Sequence, residues 1–288
     1  MDFYQLDVFA DRRYRGNQLA VFPDAGEFTK EQMQTVASEM NLSETAFVMA
    51  ADRDSYSVRF FTPAEELPFA GHPTIGTAWL LRRLERVTAD KITQRSPAGE
   101  TPVEVRGELL WFTRRGGAEP DLATHDETST RKVAEALGLA PDDIGLEARE
   151  LGRPGHLLPS FSDAGFRQLM VPLASHGALV RCAPRTELLK ALGTGTEGAY
   201  CFTGERAGGL RARGFFPGVG ISEDPATGSA AAALGIYLAD RVGDIDLEVV
   251  QGVEIGRPSR IHMKARSGEV SIGGRCAFIF SGDLEELP

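Results

Sequence analysis

ELPFAGHPTIGTAWLL, residues 66–81, is the stretch on which the fold turns. From Thr74 to Leu84 its apolar residues (Ile75, Ala78, Trp79, Leu80, Leu81 and Leu84) wrap most of a helical circumference. That pattern predicts a helix enclosed on most sides, not one lying on a surface. Yet its run-in carries a carboxylate, Glu66, and its first turn a histidine, His72. A second stretch, EDPATGSAAAALGIYL at 223–238, has the same layout. Aligned on Gly71 and Gly228, both have an acidic residue, a proline three positions before the glycine and a polar residue just after it. Ala230 to Leu238 is again apolar all round, with small alanines that let neighbouring backbone come close. Two such stretches in one chain read as two halves of one site.

The rest of the chain supplies strands to wrap these helices. DFYQLDVFA and QLAVFPDA are strand-like, with a turn around Arg15-Gly16-Asn17 between them. Thr29 to Gln32 is a capping-box pattern, followed by Met33, Val36, Ala37 and Met40 at helical spacing, and that helix is expected to end near Asn41. TAFVMA and YSVRFFT are again strands, which places Ser43 and Glu44 on a helix-to-strand loop. KITQRS, PVEVRGELLWFTRR, GAYCFTG, LRARGFF, LEVVQG, RIHMKA, GEVSIGG and CAFIFSG are further short strands rich in glycine, β-branched and aromatic residues. The economical architecture is α+β: two similar domains, each a curled sheet or barrel around one buried central helix. The boundaries read as 1–118 and 119–275, with a C-terminal strand near 276–288 that can join the first domain. Arg115 to Ser129 is the best linker candidate, and Thr130 to Leu139 a short amphipathic helix.

Composition narrows the function. The 288 residues, 42% hydrophobic and 25% charged, are a globular composition, and 32 glycines favour a turn-rich fold over a helical bundle. A formal charge of −10 argues against nucleic acid or an anionic membrane as partner, but allows a small anionic ligand captured by local donors. No apolar stretch is long enough for a membrane span, and MDFYQLDVFADRR has no secretory pattern, so a cytoplasmic location is expected. Cys182, Cys201 and Cys276 are odd in number and widely spaced, which fits neither a disulfide framework nor a zinc site. No ligand-spaced His/Cys cluster and no glycine-rich phosphate loop after a strand is found, so neither a metal nor a nucleotide cofactor is expected.

A buried helix still presents unpaired N–H groups and partial positive charge at its start. AGH before one helix and TGS before the other therefore make two anion-ready N-termini, with Gly71, Gly228 and Ser229 placed to meet a carboxylate. On residue type alone, Glu44 can equally close a loop, His72 bond to backbone and Asp224 stabilise a helix dipole.

NLSETAFV (41–48), RFFTPAEELPFAGHPTIGTA (59–78), GFFPGVGISEDPATGSAA (214–231) and QGVEIGRPSR (251–260) resemble the motifs of the phenazine-biosynthesis PhzF family, which has the diaminopimelate epimerase fold. Four long motifs in the right order cover both halves of the chain. The resemblance implies a cofactor-free and metal-free isomerase, a homodimer, with its active site in the cleft between two pseudo-symmetric barrels. It implies a proton shift on a small cyclic amino/hydroxy acid, with trans-2,3-dihydro-3-hydroxyanthranilate the best single substrate. Residue by residue, Glu44 matches the general acid/base, His72 and Asp224 further polar groups of the pocket, and Gly71, Gly228 and Ser229 the substrate-binding helix starts. Moving a proton between carbons needs a group that takes it and returns it, and a carboxylate does both. Asn17 matches a turn that in the family reads Gly-Asn-Pro, and Gln18 departs from it, which is expected to loosen the turn. His156, Arg257 and Ser259 stay outside the catalytic set. The same fold serves epimerases with two opposed thiols, but Ala70 and Thr227 occupy those positions here, so that chemistry is excluded. Another isomerase or lyase of the family, or a binding protein that has lost the chemistry, are the remaining alternatives.

Overall fold

The computed structural model describes residues 1–122, 129–192, 198–205 and 208–288. The chain divides into two compact units, residues 1–113 with 273–288, and residues 114–272.

In the first unit β1 (Asp2–Val8) pairs antiparallel with β2 (Asn17–Phe22), and α1 (Lys30–Met40) leads to β3 (Thr45–Asp52), parallel to β2. Such a parallel step needs a long crossover, and α1 is that crossover. Its Thr29 hydroxyl accepts the Gln32 N–H at 3.2 Å while Gln32 Oε1 accepts the Thr29 N–H at 3.0 Å, and Asn41 ends it in the left-handed region at φ 50°. β4 (Ser55–Phe61) returns along β3, and the short β5 (Glu66–Leu67) along β4. After α2 (Gly71–Arg83) come β6 (Lys91–Ser96), parallel to β4, then β7 (Gly99–Arg106) and β8 (Leu109–Arg115) in an antiparallel run.

The second unit opens with β9 (Gly117–Asp121), α3 (Ser129–Ala136), β10 (Leu146–Glu147) and β11 (His156–Leu157). β12 (Ser160–Asp163) pairs antiparallel with β9 and with β13 (Arg167–Pro172). α4 (His176–Arg181) and α5 (Thr186–Ala191) cross to β14 (Ala199–Glu205), which is parallel to β13. β15 (Gly209–Phe216) returns along β14, and β16 (Ile221–Asp224) along β15. α6 (Gly228–Val242) follows, then β17 (Ile245–Gln251), parallel to β15, β18 (Ser259–Arg266) antiparallel to β17, and β19 (Glu269–Gly274). β20 (Cys276–Asp283) belongs to the first unit again, where it pairs antiparallel with β1. Taken separately, the two units therefore share one sequence of pairings. Each has a parallel step over a helical crossover, an antiparallel return, a short strand, a buried helix, and a second parallel step.

Ten of the thirteen residues of α2 are buried, as are eleven of the fifteen of α6. α2 packs on β1, β2, β3, β7 and β20, and α6 on β9, β12, β13, β17 and β18. Trp79 is only half-buried, so the enclosure of α2 is incomplete on that side. Close approach has a residue-level cause. A Cβ at Gly76 would lie 2.5 Å from Leu19 Cδ2, and one at Gly235 would lie 2.5 Å from Val270 Cγ2. α2 starts at Gly71, three residues before Thr74, and tolerates Pro73 because it falls in the first turn, where its missing N–H has no helical partner to lose.

The proposed linker is corrected in part. Residues 117–121 are strand, and its low hydrophobicity reflects ion pairing, with Arg167 Nε 2.6 Å from Glu119 Oε1 and Arg241 Nη2 2.7 Å from Asp121 Oδ1. Residues 123–128 of that stretch lie outside the described residues. The amphipathic helix expected at 130–139 is α3, ending at Ala136. Among the described residues no helix is long and apolar enough to cross a membrane.

Candidate active site

Glu44 is the last residue before β3, and the parallel pairing of β3 with β2 brings it alongside the start of β2. The turn into β2 depends on Gly16, whose φ is +70°, and a Cβ there would sit 2.2 Å from the Val8 carbonyl oxygen. Gln18 does not loosen this turn: Asn17 and Gln18 are in register with Val8 and Asp7. The Gln18 carbonyl has a further use, lying 3.2 Å from His72 Nε2. A carbonyl only accepts, so Nε2 carries the ring proton and Nδ1 presents a lone pair. Asn17 Nδ2 lies 3.3 Å from Nδ1 and donates to it, and Ser43 Oγ, 3.0 Å from Asn17 Oδ1, fixes which way that amide faces.

Glu44 Oε2 is 3.4 Å from the same Nδ1, with the Glu44 side chain 14% exposed and that of His72 3% exposed. This contact is not an ion pair. Burial pulls the His72 imidazole down to about 3, outweighing the upward pull of its bond to the Gln18 carbonyl, so the ring is neutral. His72 is thus a fixed, uncharged ring against a largely buried carboxyl, its lone pair taken by Asn17 Nδ2. The helix it opens is uncapped: Ala70 has no side chain to turn back, and the Thr74 hydroxyl is spent on the Ala70 carbonyl at 2.8 Å.

In the second unit Asp224 ends β16 and is 4% exposed. Its Oδ2 accepts the Thr227 hydroxyl at 2.6 Å. Thr227 is the N-cap of α6 by position, yet its side chain makes no capping bond. Its N–H goes to Gln251 Oε1 at 3.1 Å, while Gln251 Nε2 donates to the Asp224 carbonyl at 2.8 Å and to Thr227 Oγ1 at 3.0 Å. The Tyr200 hydroxyl donates to Gln251 Oε1 at 2.8 Å, and burial, reinforced by Asp224, pushes that phenol up so that it stays a donor. Gly228 is buried and Ser229 half-buried in the first turn.

The structure therefore joins Glu44, His72 and the start at Gly71 in one unit, and Asp224, Gly228 and Ser229 in the other. Ser259 lies next to the second group, its hydroxyl donating to the Pro225 carbonyl at 2.8 Å, where it ties the turn before α6. His156 does not join: its side chain is 47% exposed and meets Glu147 at 3.0 Å on the β10–β11 hairpin. Tyr200, Gln251 and Ser43 were missed as site-supporting residues. Neither Gln251, one of several polar residues in IDLEVVQ, nor Tyr200 within GAYCFTG gives a local signal. Among the described residues no group of three or more His, Cys, Asp or Glu side chains is placed to hold a metal ion. Cys182 and Cys201 are buried in the core of the second unit, and burial pushes the Cys201 thiol up, away from the reactive thiolate.

Residues 6–282 match the family model described as phenazine biosynthesis-like protein. The chain is 34% identical over 287 residues to the trans-2,3-dihydro-3-hydroxyanthranilate isomerase of Pseudomonas aeruginosa, covering 96% of both chains. It is 31% identical to an uncharacterised isomerase of Pasteurella multocida, over 98% of this chain and 93% of that one. A crystal structure of a PhzF-family phenazine biosynthesis protein from Bacillus anthracis superposes with a TM-score of 0.85 at 22% identity, covering 99% of this chain and 98% of that one. This chain has the α+β fold of those proteins, belongs to the PhzF family, and is an isomerase.

Proposed function

We propose that this isomerase shifts a proton between carbons of a small cyclic amino/hydroxy acid, with trans-2,3-dihydro-3-hydroxyanthranilate as substrate and no cofactor or metal. Glu44 removes a proton from one ring carbon and returns it at another, so the composition of the substrate is unchanged. Gly71, Gly228 and Ser229 offer first-turn N–H groups to the substrate carboxylate, and His72 and Asp224 orient its polar substituents. On this reading each unit is a domain, a curled sheet around its buried helix, and the protein works as a cytoplasmic homodimer.

The observation that carries the reading is the Glu44–His72 pair. His72, which carries no charge 3.4 Å from Glu44 Oε2, does not tie that largely buried carboxyl into a structural ion pair, as a group that exchanges a proton with substrate requires. The 34% identical relative named for this substrate supports the choice of compound. The test is direct turnover by the purified protein in deuterated water, followed by absorbance and mass. Loss of the substrate spectrum with one deuterium gained supports the reading; unchanged substrate without label contradicts it.

A further inference from the structure

We propose that Thr227, held by Gln251, is a positioning residue that commits its one hydroxyl proton to Asp224 and so keeps the start of α6 uncapped for a carboxylate ligand. This rests on the reading above that Asp224 and the α6 start meet the substrate.

The argument is one of donors and acceptors. The Thr227 N–H can only donate and the Asp224 carbonyl can only accept, so the two bonds of Gln251 to them settle which amide atom is oxygen and which nitrogen. Gln251 is fully buried and cannot turn over to solvent. Its second amide proton then goes to Thr227 Oγ1 at 3.0 Å, which leaves the Thr227 proton a single strong acceptor, Asp224 Oδ2 at 2.6 Å. Tyr200, also fully buried, fills the remaining acceptor position of Gln251 Oε1. Each proton of the set thus has a single assigned acceptor: Tyr200 and the Thr227 N–H donate to Gln251 Oε1, Gln251 Nε2 to the Asp224 carbonyl and Thr227 Oγ1, and the Thr227 hydroxyl to Asp224 Oδ2.

Two consequences follow. A threonine at an N-cap ordinarily accepts an N–H from the first turn, as Thr29 does for α1. Here the hydroxyl is turned the other way, so the first-turn groups of α6 keep their capacity for a ligand. The 2.6 Å hydrogen bond also fixes which way Asp224 Oδ2 faces, so the carboxyl meets substrate in a set orientation.

Thr227→Val and Thr227→Ser separate this role from a structural one. Valine keeps both branches and removes the proton; serine keeps the proton and removes a methyl group. We expect kcat/KM on trans-2,3-dihydro-3-hydroxyanthranilate, and calorimetric affinity for the probe 2-aminobenzoate, to fall roughly 10- to 100-fold in Thr227→Val, the range of a lost charge-assisted bond. Its thermal midpoint should fall as well, since Gln251 Nε2 and Asp224 Oδ2 each lose a buried partner. Thr227→Ser should keep activity and probe affinity within about 3-fold while its midpoint drops. Wild-type activity in Thr227→Val, or activity that follows thermal midpoint across the two variants, overturns the proposal. Asp224→Asn is the reference: if it alone turns over normally, the assignment of Asp224 fails, whatever Thr227 does.

Discussion

The starts of α2 and α6 arrive at the same uncapped state by opposite means. At α2 the cap position is Ala70, which has nothing to offer the first turn, and a buried neutral histidine occupies the second helical position. At α6 the cap position holds a competent residue, Thr227, whose hydroxyl is diverted to Asp224 by a buried amide. α1 is closed by a full capping box. A missing cap costs about 1 kcal/mol, and the chain shows at α1 that it can supply one. α4 is capped too, by Ser175, and α5 is not, so an open start alone assigns no use; α2 and α6 differ from α5 in being buried helices with polar groups held at their starts. The difference between α2 and α6 assigns separate tasks. On the proposed reading the α2 start sits with the carboxyl assigned to move the proton, and the α6 start with the carboxyl assigned to hold substrate.

The largest effect expected from breaking this division is at Glu44. Glu44→Gln keeps shape but cannot accept and return a proton, so kcat should fall by roughly 10²- to 10⁴-fold with little change in ligand affinity. On the other side, Asp224→Asn should lower turnover and binding together, by roughly 10- to 100-fold in kcat/KM, because the group holds substrate instead of exchanging protons with it. His72→Ala should likewise lower both. Steady-state kinetics with calorimetric binding distinguishes the two patterns; equal kcat-only losses at Glu44 and Asp224 would erase the distinction.

The buried histidine also marks the α2 side in the pH dependence of stability. Its imidazole lies at about 3 in the folded protein against 6.5 when unfolded, so between those values the unfolded chain binds the extra proton. Acid therefore favours unfolding: stability should be complete above about 6.5 and fall by up to about 1.4 kcal/mol per pH unit below it. Urea titrations at a series of pH values should show a shallower slope for His72→Gln. An identical slope would mean that His72 is not held neutral.

A smaller effect sharpens the comparison from the other direction. Ala70 has the extended backbone of an N-cap, φ −144° and ψ 132°, so Ala70→Ser should supply the missing acceptor. The thermal midpoint should rise, reflecting about 1 kcal/mol, while KM rises as the first turn is closed to substrate. Stabilisation without any change in KM would show that the α2 start does not bind ligand. Smallest of all, alkylating the three cysteines under native conditions, or dialysis against chelator, should leave turnover unchanged. Activity lost to chelator and restored by a metal would contradict the cofactor-free reaction.

Much of this was legible in the sequence because the decisive patterns are local. An apolar helix with glycine and a polar residue at its start identifies itself within about a dozen residues, as 66–81 and 223–238 do, and Thr29 with Gln32 announces a capping box. Glu44 was placed on its helix-to-strand loop by the elements on either side. What stayed hidden depends on register between distant strands. Asn17 meets His72 only because β2 runs beside α2, and Gln251 reaches Thr227 from a strand that follows the whole of α6. The strand at 117–121 was hidden for another reason: its polar side chains are paired with Arg167 and Arg241, partners that composition cannot show.

The account stands on Glu44 as the group that moves the proton. Deuterium incorporation into trans-2,3-dihydro-3-hydroxyanthranilate by Glu44→Gln, measured by mass beside the wild-type protein, tests this most directly. The expected result is exchange reduced at least roughly 10²-fold while the variant keeps wild-type folding and affinity for 2-aminobenzoate. Exchange at the wild-type rate would contradict it, and the base would have to be sought elsewhere in the chain.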